Sequence, residues 1–363
     1  MDAARLRAAF PVLERNAYLN AGTCGPLPAA AHDAAAEAWR FAAQEGRSTA
    51  FYQRLVPLAE QLRERYAGLL GAPAGEVALT GGTSDGCGHV VAGLELGPGD
   101  EVVTADDEHP GLTGPLIAAR EQRGATIRAV PLAEIPSAIS ENTRLVACSH
   151  VSWHSGALAP VADIVAAARA HGNIPVLLDG AQGVGAVDVD VHALGCDFYA
   201  GSGQKWLCGP EGTGMLWVSP LWREQLAPET PGYLNLAEPG AGLDTEPWPD
   251  ARAYDAPAMP LEALTAALTA HDVLAQFGWD QIHARATSMA ATLADRLRDR
   301  GLTVAPRGAT TLVTWESPGS DELPGRLAEQ GIVVRNLPGT SFVRASVGAW
   351  NDESDLERLL AAL

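Results

Sequence analysis

The feature that most constrains the fold of this chain is an alternation of short apolar runs with amphipathic stretches between residues 77 and 218. The apolar runs predict strands, and several of them are apolar on both faces. They lie at residues 77–79, 100–104, 126–130, 144–148, 175–178, 197–200 and 214–218. Stretches that predict helices, such as 115–123 and 164–171, separate them. Alternating strands and helices of this kind indicate an α/β fold whose mainly parallel sheet is covered on both sides.

The pattern changes after about residue 220. Residues 228–260 are rich in proline, glycine and acidic residues, and two long helical patterns follow at 261–277 and 279–301. Short strand and helix patterns then continue to the last residue. We therefore predict a large α/β domain over residues 16–245. A smaller α+β domain would consist of residues 1–15 and 246–363.

Charge and composition limit the possible partners. The 363 residues include 25 basic and 44 acidic side chains, which gives a formal net charge of −19. This acidity argues against nucleic acid and against anionic membranes as partners. The five cysteines are scattered without a C-x-x-C pair, and the histidines lack metal-ligand spacing, so we expect neither disulfides nor a metal site. We see no signal peptide and no apolar run of eighteen residues, and we expect a cytoplasmic protein that acts on a small molecule.

Lys205 is the only lysine of the chain, and it lies in the glycine-rich segment 201–214 beside tryptophan and leucine. Every other long cationic side chain is an arginine. Removing a lysine from water lowers its pKa and leaves a nucleophilic amine that can form a Schiff base. Lysine is more often a solvated surface residue, so the residues alone leave both interpretations open.

Other polar residues follow predicted strands, where open α/β sheets bind their ligands. Asp179 comes directly after the run 175–178; it could pair with a cationic nitrogen or cap a turn. Residues 80–86, TGGTSDG, could bind phosphate at a helix start, although they lack the P-loop ending. His109 could stack on a flat ligand, although taken alone it is more typical of a histidine that caps a helix or lies on the surface. The Gln182 amide could bind a phenolic oxygen or simply face solvent.

Five motifs occur in a fixed order along the chain: TGGTSDG, DEHPG, SHVSWHSG, DGAQGVGAVDVDV and DFYAGSGQKWLCGPEGTG. In this order they resemble the class V aminotransferase family, the fold-type I pyridoxal-phosphate enzymes that include cysteine desulfurases and cyst(e)ine C–S lyases. The resemblance runs from residues 18–20 to residues 343–346. It implies a fold-type I architecture, pyridoxal 5′-phosphate as cofactor, an amino-acid substrate and a homodimer.

The resemblance also implies a role for each candidate residue. Lys205 would carry the cofactor as a Schiff base and move protons on the substrate carbon. Asp179 would pair with the pyridinium nitrogen, His109 would stack on the ring, and Gln182 would bind its phenolic oxygen. The phosphate would be held by a group of polar residues, namely Thr83, Ser84, Ser202 and Gln204. The substrate would meet Arg344, which matches the family's carboxylate-binding arginine, and Trp153.

The chain departs from the family pattern at three places. Gln204 replaces the histidine that often precedes the lysine, and residues 252–257 lack the threonine that often reaches the neighbouring subunit's phosphate site. No cysteine follows Cys208, so the mobile-loop cysteine of a desulfurase is missing. We therefore expect a C–S lyase that acts by α,β-elimination on a cysteine, cystine or S-substituted cysteine. Transamination and epimerisation of an amino acid remain alternatives.

Overall fold

The computed structural model describes residues 1–229 and 231–363. The helices are α1 to α12, in chain order: Ala3–Ala8, Ala29–Glu45, Thr49–Leu69, Thr83–Gly93, Pro110–Ala118, Ile135–Ala138, Val161–Ala170, Val191–Leu194, Leu261–Ala275, Trp279–Asp299, Leu323–Ala328 and Glu353–Ala362. The strands are β1 to β12: Ala17–Tyr18, Val77–Thr80, Glu101–Ala105, Thr126–Val130, Thr143–Ser149, Val176–Asp179, Phe198–Ser202, Gly214–Val218, Leu312–Glu316, Ile332–Val333, Arg335–Asn336 and Phe342–Ser346.

A seven-stranded sheet forms the centre of the molecule, in the order β2-β8-β7-β6-β5-β3-β4. Only β8 runs against the others, since it pairs antiparallel with both β2 and β7. The remaining neighbours pair in parallel. The predicted α/β class with a mainly parallel sheet is therefore confirmed.

Both faces of the sheet are buried along its inner strands, as their apolar runs predict, whereas the edge strand β4 is mostly exposed. In β6, Val176 and Leu178 pack into one apolar core, whereas Leu177 between them packs into the core on the opposite face. Successive side chains of a strand point to opposite faces, so a strand covered on both sides must be apolar throughout. The polar residue Asp179 then marks the point where β6 leaves the core.

Helices α2, α3 and α9 form a layer beside the large sheet. Helix α2 contacts α9 through small side chains, with Ala31, Ala266 and Ala270 forming a cluster of their own. Leu261 and Leu264 of α9 belong to the core that packs under the large sheet. This packing places α9 against α2 and α3, which come from the first half of the chain. The predicted domain limits, which assign α9 to the smaller domain, stay a prediction.

The C-terminal part builds two smaller sheets. Strand β1 pairs in parallel with β10, and β11, β12 and β9 form an antiparallel sheet in that order. Their apolar side chains share a core with α10 and α12. Among the short strand patterns predicted after residue 301, the one at residues 303–304 forms only a single bridge, between Val304 and Trp315. Within the described residues, we find no helix that combines the length and the apolar character needed to cross a membrane.

Candidate active site

The candidate residues converge at the carboxyl ends of the central parallel strands. Asp179 ends β6 and Ser202 ends β7, while His109 follows β3 after a short turn. Parallel strands leave the sheet at one edge, so side chains at these positions meet in a common cleft. The small antiparallel sheet of β9, β11 and β12 contributes Arg344 to this cleft. The Arg344 guanidinium contacts Trp153 there.

The start of α4 forms one wall of the cleft. Its first residue, Thr83, shares a 2.6 Å hydrogen bond between its Oγ1 and the Oγ of Ser202, and its backbone N–H donates to the same Oγ at 3.3 Å. Gly82 before it has a φ of +151°, and a Cβ on Gly214 would stand 2.5 Å from the Gly82 Cα. The hydroxyls of Thr83 and Ser202 thus lie beside the free N–H groups at the start of α4. At Gly214, next to them, the close backbone packing leaves no room for a side chain.

His109 and Ser84 approach each other beside α5. Pro110 begins α5, and His109 caps it by accepting the Gly111 N–H on Nδ1 at 3.0 Å. A Cβ on Gly111 would stand 2.4 Å from the Ser84 Oγ and 3.1 Å from the His109 Nδ1. Burial, helped by the positive charges of Lys205 and two arginines, lowers the pKa of His109 to about 4. The ring is therefore neutral near pH 7, and because Nδ1 accepts a bond, Nε2 carries the proton.

Asp179 and Lys205 form the charged centre of the cleft. Asp179 is buried, and its Oδ1 accepts the Ala181 N–H at 2.9 Å. Burial raises the pKa of Asp179, and the charge of Lys205 opposes that rise. Burial lowers the pKa of Lys205 to about 8, while Asp179 acts in the other direction. Protein surrounds the Lys205 side chain, yet it keeps some exposure, which is typical of a residue that lines a narrow cleft.

Gln182 has both ends of its amide engaged. Its Nε2 donates to the Gly22 carbonyl at 2.8 Å, and its Oε1 accepts the indole N–H of Trp206 at 3.0 Å. An indole nitrogen can only donate, so this contact fixes which amide atom faces Trp206. Gln182 is thus held in place, with one N–H left for a ligand.

Arg344 and Trp153 lie together on the substrate side. The Arg344 Nη1 donates to the Trp153 carbonyl at 2.6 Å, while its Nε and Nη2 have no partner although the residue is only 1% exposed. Burial, with the nearby charge of Arg335, lowers the pKa of Arg344 to about 9. Trp153 meets His109 edge to face, with ring centroids 5.1 Å apart. An unpaired buried guanidinium is costly, so these free N–H groups indicate a place for an anion.

Three further residues belong to this site, and sequence reasoning did not single them out. Glu108 is buried and accepts the backbone N–H and the hydroxyl of Ser149 at 2.7 and 2.5 Å; burial, with Asp179 nearby, raises its pKa to about 8. Cys24 lies close enough to Lys205 for their charges to interact, and Arg335 pairs with Arg344 across two strands. Adjacency to His109 could have indicated Glu108, whereas Arg335, the first residue of β11, gave no sequence signal.

The polar atoms present here fit pyridoxal phosphate. A helix start with hydroxyls can take its phosphate, a buried carboxylate can take its ring nitrogen, and an amine of lowered pKa can take its aldehyde. The side-chain Oε1 of Gln204 is buried without a partner, as are two nitrogens of Arg344. Such orphaned atoms inside a cleft are explained when a polar ligand fills it.

The Aminotransferase class-V family profile matches residues 17–359, which is nearly the whole chain. The chain belongs to the class-V aminotransferase family. This confirms the resemblance drawn from the motifs, and with it the expectation of an enzyme that depends on pyridoxal phosphate.

Individual relatives differ in the reaction they are named for. A probable cysteine desulfurase of Pseudomonas aeruginosa is 34% identical over 346 residues, covering 86% of this chain and 83% of the relative. An isopenicillin N epimerase of Streptomyces clavuligerus is 31% identical over 355 residues, covering 92% and 84%. Among solved structures, the cystine C–S lyase C-DES with cysteine persulfide has a TM-score of 0.90 at 28% identity and covers 97% of this chain and 98% of that one. A C-DES mutant with glycine covalently linked to its pyridoxal-phosphate cofactor has a TM-score of 0.91, also at 28% identity, covering 98% of each chain.

Proposed function

We propose that this class-V enzyme is a C–S lyase that releases pyruvate and ammonia from a cysteine-type amino acid by α,β-elimination. The observation that carries the proposal is the connection from β11 to β12, residues 337–341, which leads to Arg344. It is a closed turn, because the Leu337 N–H donates to the Phe342 carbonyl at 2.9 Å and the Thr340 N–H to the Leu337 carbonyl at 3.2 Å. Neither this turn nor any residue after Cys208 is a cysteine. A loop thiol that could take sulfur from the substrate is therefore missing, and the sulfur would leave on the departing group, as a free thiol or persulfide.

The charged centre suits proton removal from the substrate. Bound pyridoxal phosphate supplies an electron sink at the substrate α-carbon. Lys205 would hold the cofactor and, once the substrate amine has replaced it, take the α-proton onto its Nζ. An amine with a pKa of about 8 can accept a proton near neutral pH and release it again. Asp179 would hold a proton at the ring nitrogen, since the buried carboxylate gains a cationic partner there.

The surrounding residues would bind and orient. The phosphate would be held by the residues around the start of α4 and the end of β7, namely Thr83, Ser84, Ser202 and Gln204. His109 would cover the ring and Gln182 would face its phenolic oxygen. Arg344 would bind the α-carboxylate through its two unpaired nitrogens, with Trp153 beside it. Placing the carboxylate decides which bond of the α-carbon reacts, so Arg344 would orient the substrate as well as bind it.

Similarity supports a sulfur-containing substrate. C-DES, which is described as a cystine C–S lyase, shares the fold of the whole chain. With L-cystine the balanced reaction consumes water and yields pyruvate, ammonia and cysteine persulfide. With an S-substituted cysteine the third product is the corresponding thiol.

Epimerisation is the second candidate, because an isopenicillin N epimerase covers most of the chain. That reaction needs a proton donor on the face of the α-carbon opposite Lys205. His109 would lie on that side, and its lowered pKa of about 4 leaves it neutral and a weak acid near pH 7. The site therefore favours elimination over epimerisation.

Product analysis without any added keto acid tests the proposal. The cofactor-loaded protein is mixed with L-cystine, L-cysteine or S-ethyl-L-cysteine, and pyruvate, ammonia, alanine and D-amino acid are measured. We expect many equivalents of pyruvate and ammonia per protein molecule. The Lys205→Ala variant should form pyruvate no faster than pyridoxal phosphate does without protein. Alanine would instead mean a desulfurase, and a D-amino acid an epimerase. One equivalent of keto acid, with conversion of the cofactor to its amine form, would mean an aminotransferase.

We also propose that the enzyme is a homodimer, as the resemblance implies. Exposed aromatic side chains, Trp39, Tyr52 and Tyr233, line a groove of about 530 Å³ together with Phe51 and Met259. Exposed apolar patches of this kind mark association surfaces. Sedimentation at micromolar concentration should give twice the chain mass of 37.9 kDa, and a monomer would contradict the proposal. The cytoplasmic location stays a prediction that cell fractionation can test.

A further inference from the structure

Glu108 is a buried carboxylic acid that the proposed mechanism does not use. The residue is only 8% exposed. Three other buried acids, namely Asp197, Asp255 and Asp355, each pair with an arginine at 2.6–2.9 Å. In the part of the chain that the structure describes, Glu108 has no such cationic partner. A buried carboxyl group without a counter-charge must either stay protonated or face a cation that a ligand brings.

Glu108 lies beside the acid that would pair with the cofactor ring nitrogen. Its Oε1 accepts the Ser149 N–H at 2.7 Å, and its Oε2 contacts the Ser149 hydroxyl at 2.5 Å. Ser149 ends β5, where it is in register with Asp179 of the neighbouring strand β6. Neighbouring strands lie about 4.8 Å apart, so both carboxyl groups lie close together at the carboxyl edge of the sheet. Glu108 also directly precedes His109, which would cover the same ring.

The titratable groups around Glu108 carry no positive charge. Burial raises the pKa of Glu108 to about 8; Asp179 of β6 and Asp107 of the same turn add to the rise, while the hydrogen bonds from β5 oppose it. Its other titratable neighbours are the thiols of Cys87 in α4 and Cys148 in β5, whose pKa values are raised by burial and by the two buried acids. Glu108 is therefore mostly protonated near pH 7 and loses its proton at mildly alkaline pH.

The contact with Ser149 suits both charge states of Glu108. A backbone N–H can only donate, so Oε1 of Glu108 accepts a hydrogen bond in either state. In the protonated acid the proton is on Oε2 and is donated to the Ser149 hydroxyl, whereas in the ionised acid the hydroxyl turns and donates instead. Glu108 can therefore change its charge without moving. A glutamine at this position would make the same two hydrogen bonds as the protonated acid.

We propose that Glu108 is a second acidic residue that acts through space, behind Asp179, to hold the proton on the cofactor ring nitrogen. This inference rests on the proposed pairing of Asp179 with that nitrogen, and it is independent of the reaction that follows. Ionised Glu108 adds a negative charge near the pyridinium, and a nearby negative charge favours the protonated ring. Glu108 would thus strengthen the hold on this proton as the pH rises, when the ring nitrogen would otherwise tend to lose it.

A cofactor analogue without the ring nitrogen tests this role. In 1-deazapyridoxal 5′-phosphate a C–H group replaces the nitrogen, while the phosphate, the phenol and the aldehyde are kept. Each compound is titrated into the apoprotein near pH 6 and near pH 9, with tryptophan fluorescence as the readout of binding. The dissociation constant of the analogue is divided by that of pyridoxal phosphate. This ratio removes the titration of Lys205 and of the phosphate, which both compounds share, and keeps the contribution of the ring nitrogen.

The Glu108→Gln variant keeps both hydrogen bonds and removes the charge. Near pH 6 it should give the same ratio as the unmodified protein, because Glu108 is protonated there. Near pH 9 the ratio of the unmodified protein should exceed that of the variant roughly tenfold, as expected for two unit charges about 10 Å apart or less at an effective dielectric constant of about 20. A purely structural role of Glu108 would change the ratio to the same extent at both pH values.

A second variant and a control strengthen the test. Ser149→Ala removes the hydroxyl that stabilises ionised Glu108, so the ratio should begin to rise at a higher pH. The exposed Glu141, near the other end of β5, is the matched control, and Glu141→Gln should leave the ratio unchanged at both pH values. The proposal would be overturned by a folded Glu108→Gln that keeps the ratio of the unmodified protein near pH 9, or by a rise at an unchanged pH in Ser149→Ala.

The Asp179→Asn variant separates this proposal from the pairing on which it rests. If Asp179→Asn loses most of the discrimination between the two compounds while Glu108→Gln keeps all of it, the pairing of Asp179 with the ring nitrogen stands and the role of Glu108 is rejected. Equal binding of both compounds by the unmodified protein at both pH values would reject the pairing and the role of Glu108 together.

Discussion

Replacing Gly22 by alanine tests how tightly the substrate side of the site is packed. A Cβ at this position would stand 2.7 Å from the Ser346 Oγ, 2.9 Å from the Arg344 Nη2 and 3.0 Å from the Gln182 Oε1. All three side chains are buried, so none can turn out into solvent. Gly22 has an ordinary φ, and the substitution therefore acts through crowding alone.

The expected magnitude follows from these contacts. Overpacking a filled site costs about 1–3 kcal/mol, and the added methyl also displaces the Arg344 nitrogen that would bind the substrate carboxylate. Since about 1.4 kcal/mol is a factor of ten, we expect KM for a cysteine-type substrate to rise about tenfold or more. The free energy of unfolding should fall by no more than about 3 kcal/mol.

Steady-state kinetics and denaturant unfolding measure the two effects separately. Gly325→Ala in α11 is the control, because its Cβ would meet nothing within 4 Å and alanine favours a helix by up to about 1 kcal/mol. It should leave KM unchanged and stability equal or higher. If Gly22→Ala lost stability but kept its KM, Arg344 would not be the carboxylate anchor and the reasoning would be refuted.

Two further predictions concern single side chains. The rate at which the apoprotein takes up pyridoxal phosphate, followed by absorbance, should rise with pH through a midpoint of about 8, because only the neutral Lys205 amine is nucleophilic. A midpoint near the ordinary lysine value of 10.5 would show that this amine is not desolvated. In denaturant unfolding, Asp255→Asn should lose about 3–5 kcal/mol because it removes the closer counter-charge of the buried Arg63 guanidinium and leaves only the exposed Glu60, at 3.4 Å. Asp272→Asn, which breaks an exposed pair, should lose at most about 1 kcal/mol, and equal losses would contradict the difference in burial.

Most of the central sheet could be predicted from the sequence, because strands that are buried on both faces are apolar throughout. The predicted run 214–218 coincides with β8, in which all five residues are buried. The run 126–130 coincides with β4, which lies at the edge of the sheet and is mostly exposed. Pairing direction could not be predicted, since the apolar pattern of β8 is the same whether it runs with or against its neighbours. Helices α2 and α3 were not predicted, because they precede the alternating pattern that begins at residue 77. In addition, α2 packs on α9 through alanines, which differ little in hydrophobicity from polar neighbours and so give a weak helical pattern.

Some residues of the candidate active site could likewise be predicted from the sequence, and others could not. Residues at the end of a strand or shortly after it, such as Asp179 and His109, could be proposed to contact a ligand because the fold class fixes the edge at which they lie. Arg335 could not, because its importance depends on the register that sets it opposite Arg344, and register is a property of two strands. Gln182 was expected to face a ligand, and only the structure reveals that Trp206 and Gly22 hold its amide in place.

Because of the position of Lys205, the number of reactive amines reports the fraction of protein molecules that hold the cofactor. The Lys205 ε-amine is the only one in the chain and lies in the cleft, so a chain whose cofactor is bound there exposes no side-chain amine. Reagents that acylate amines then react with the α-amino group alone in the loaded protein and with one additional site in the empty protein. Intact-mass spectrometry after such labelling would count the fraction of loaded molecules directly, without colour or turnover. Reagents that couple to lysine side chains would likewise modify no residue on the outer surface of the protein.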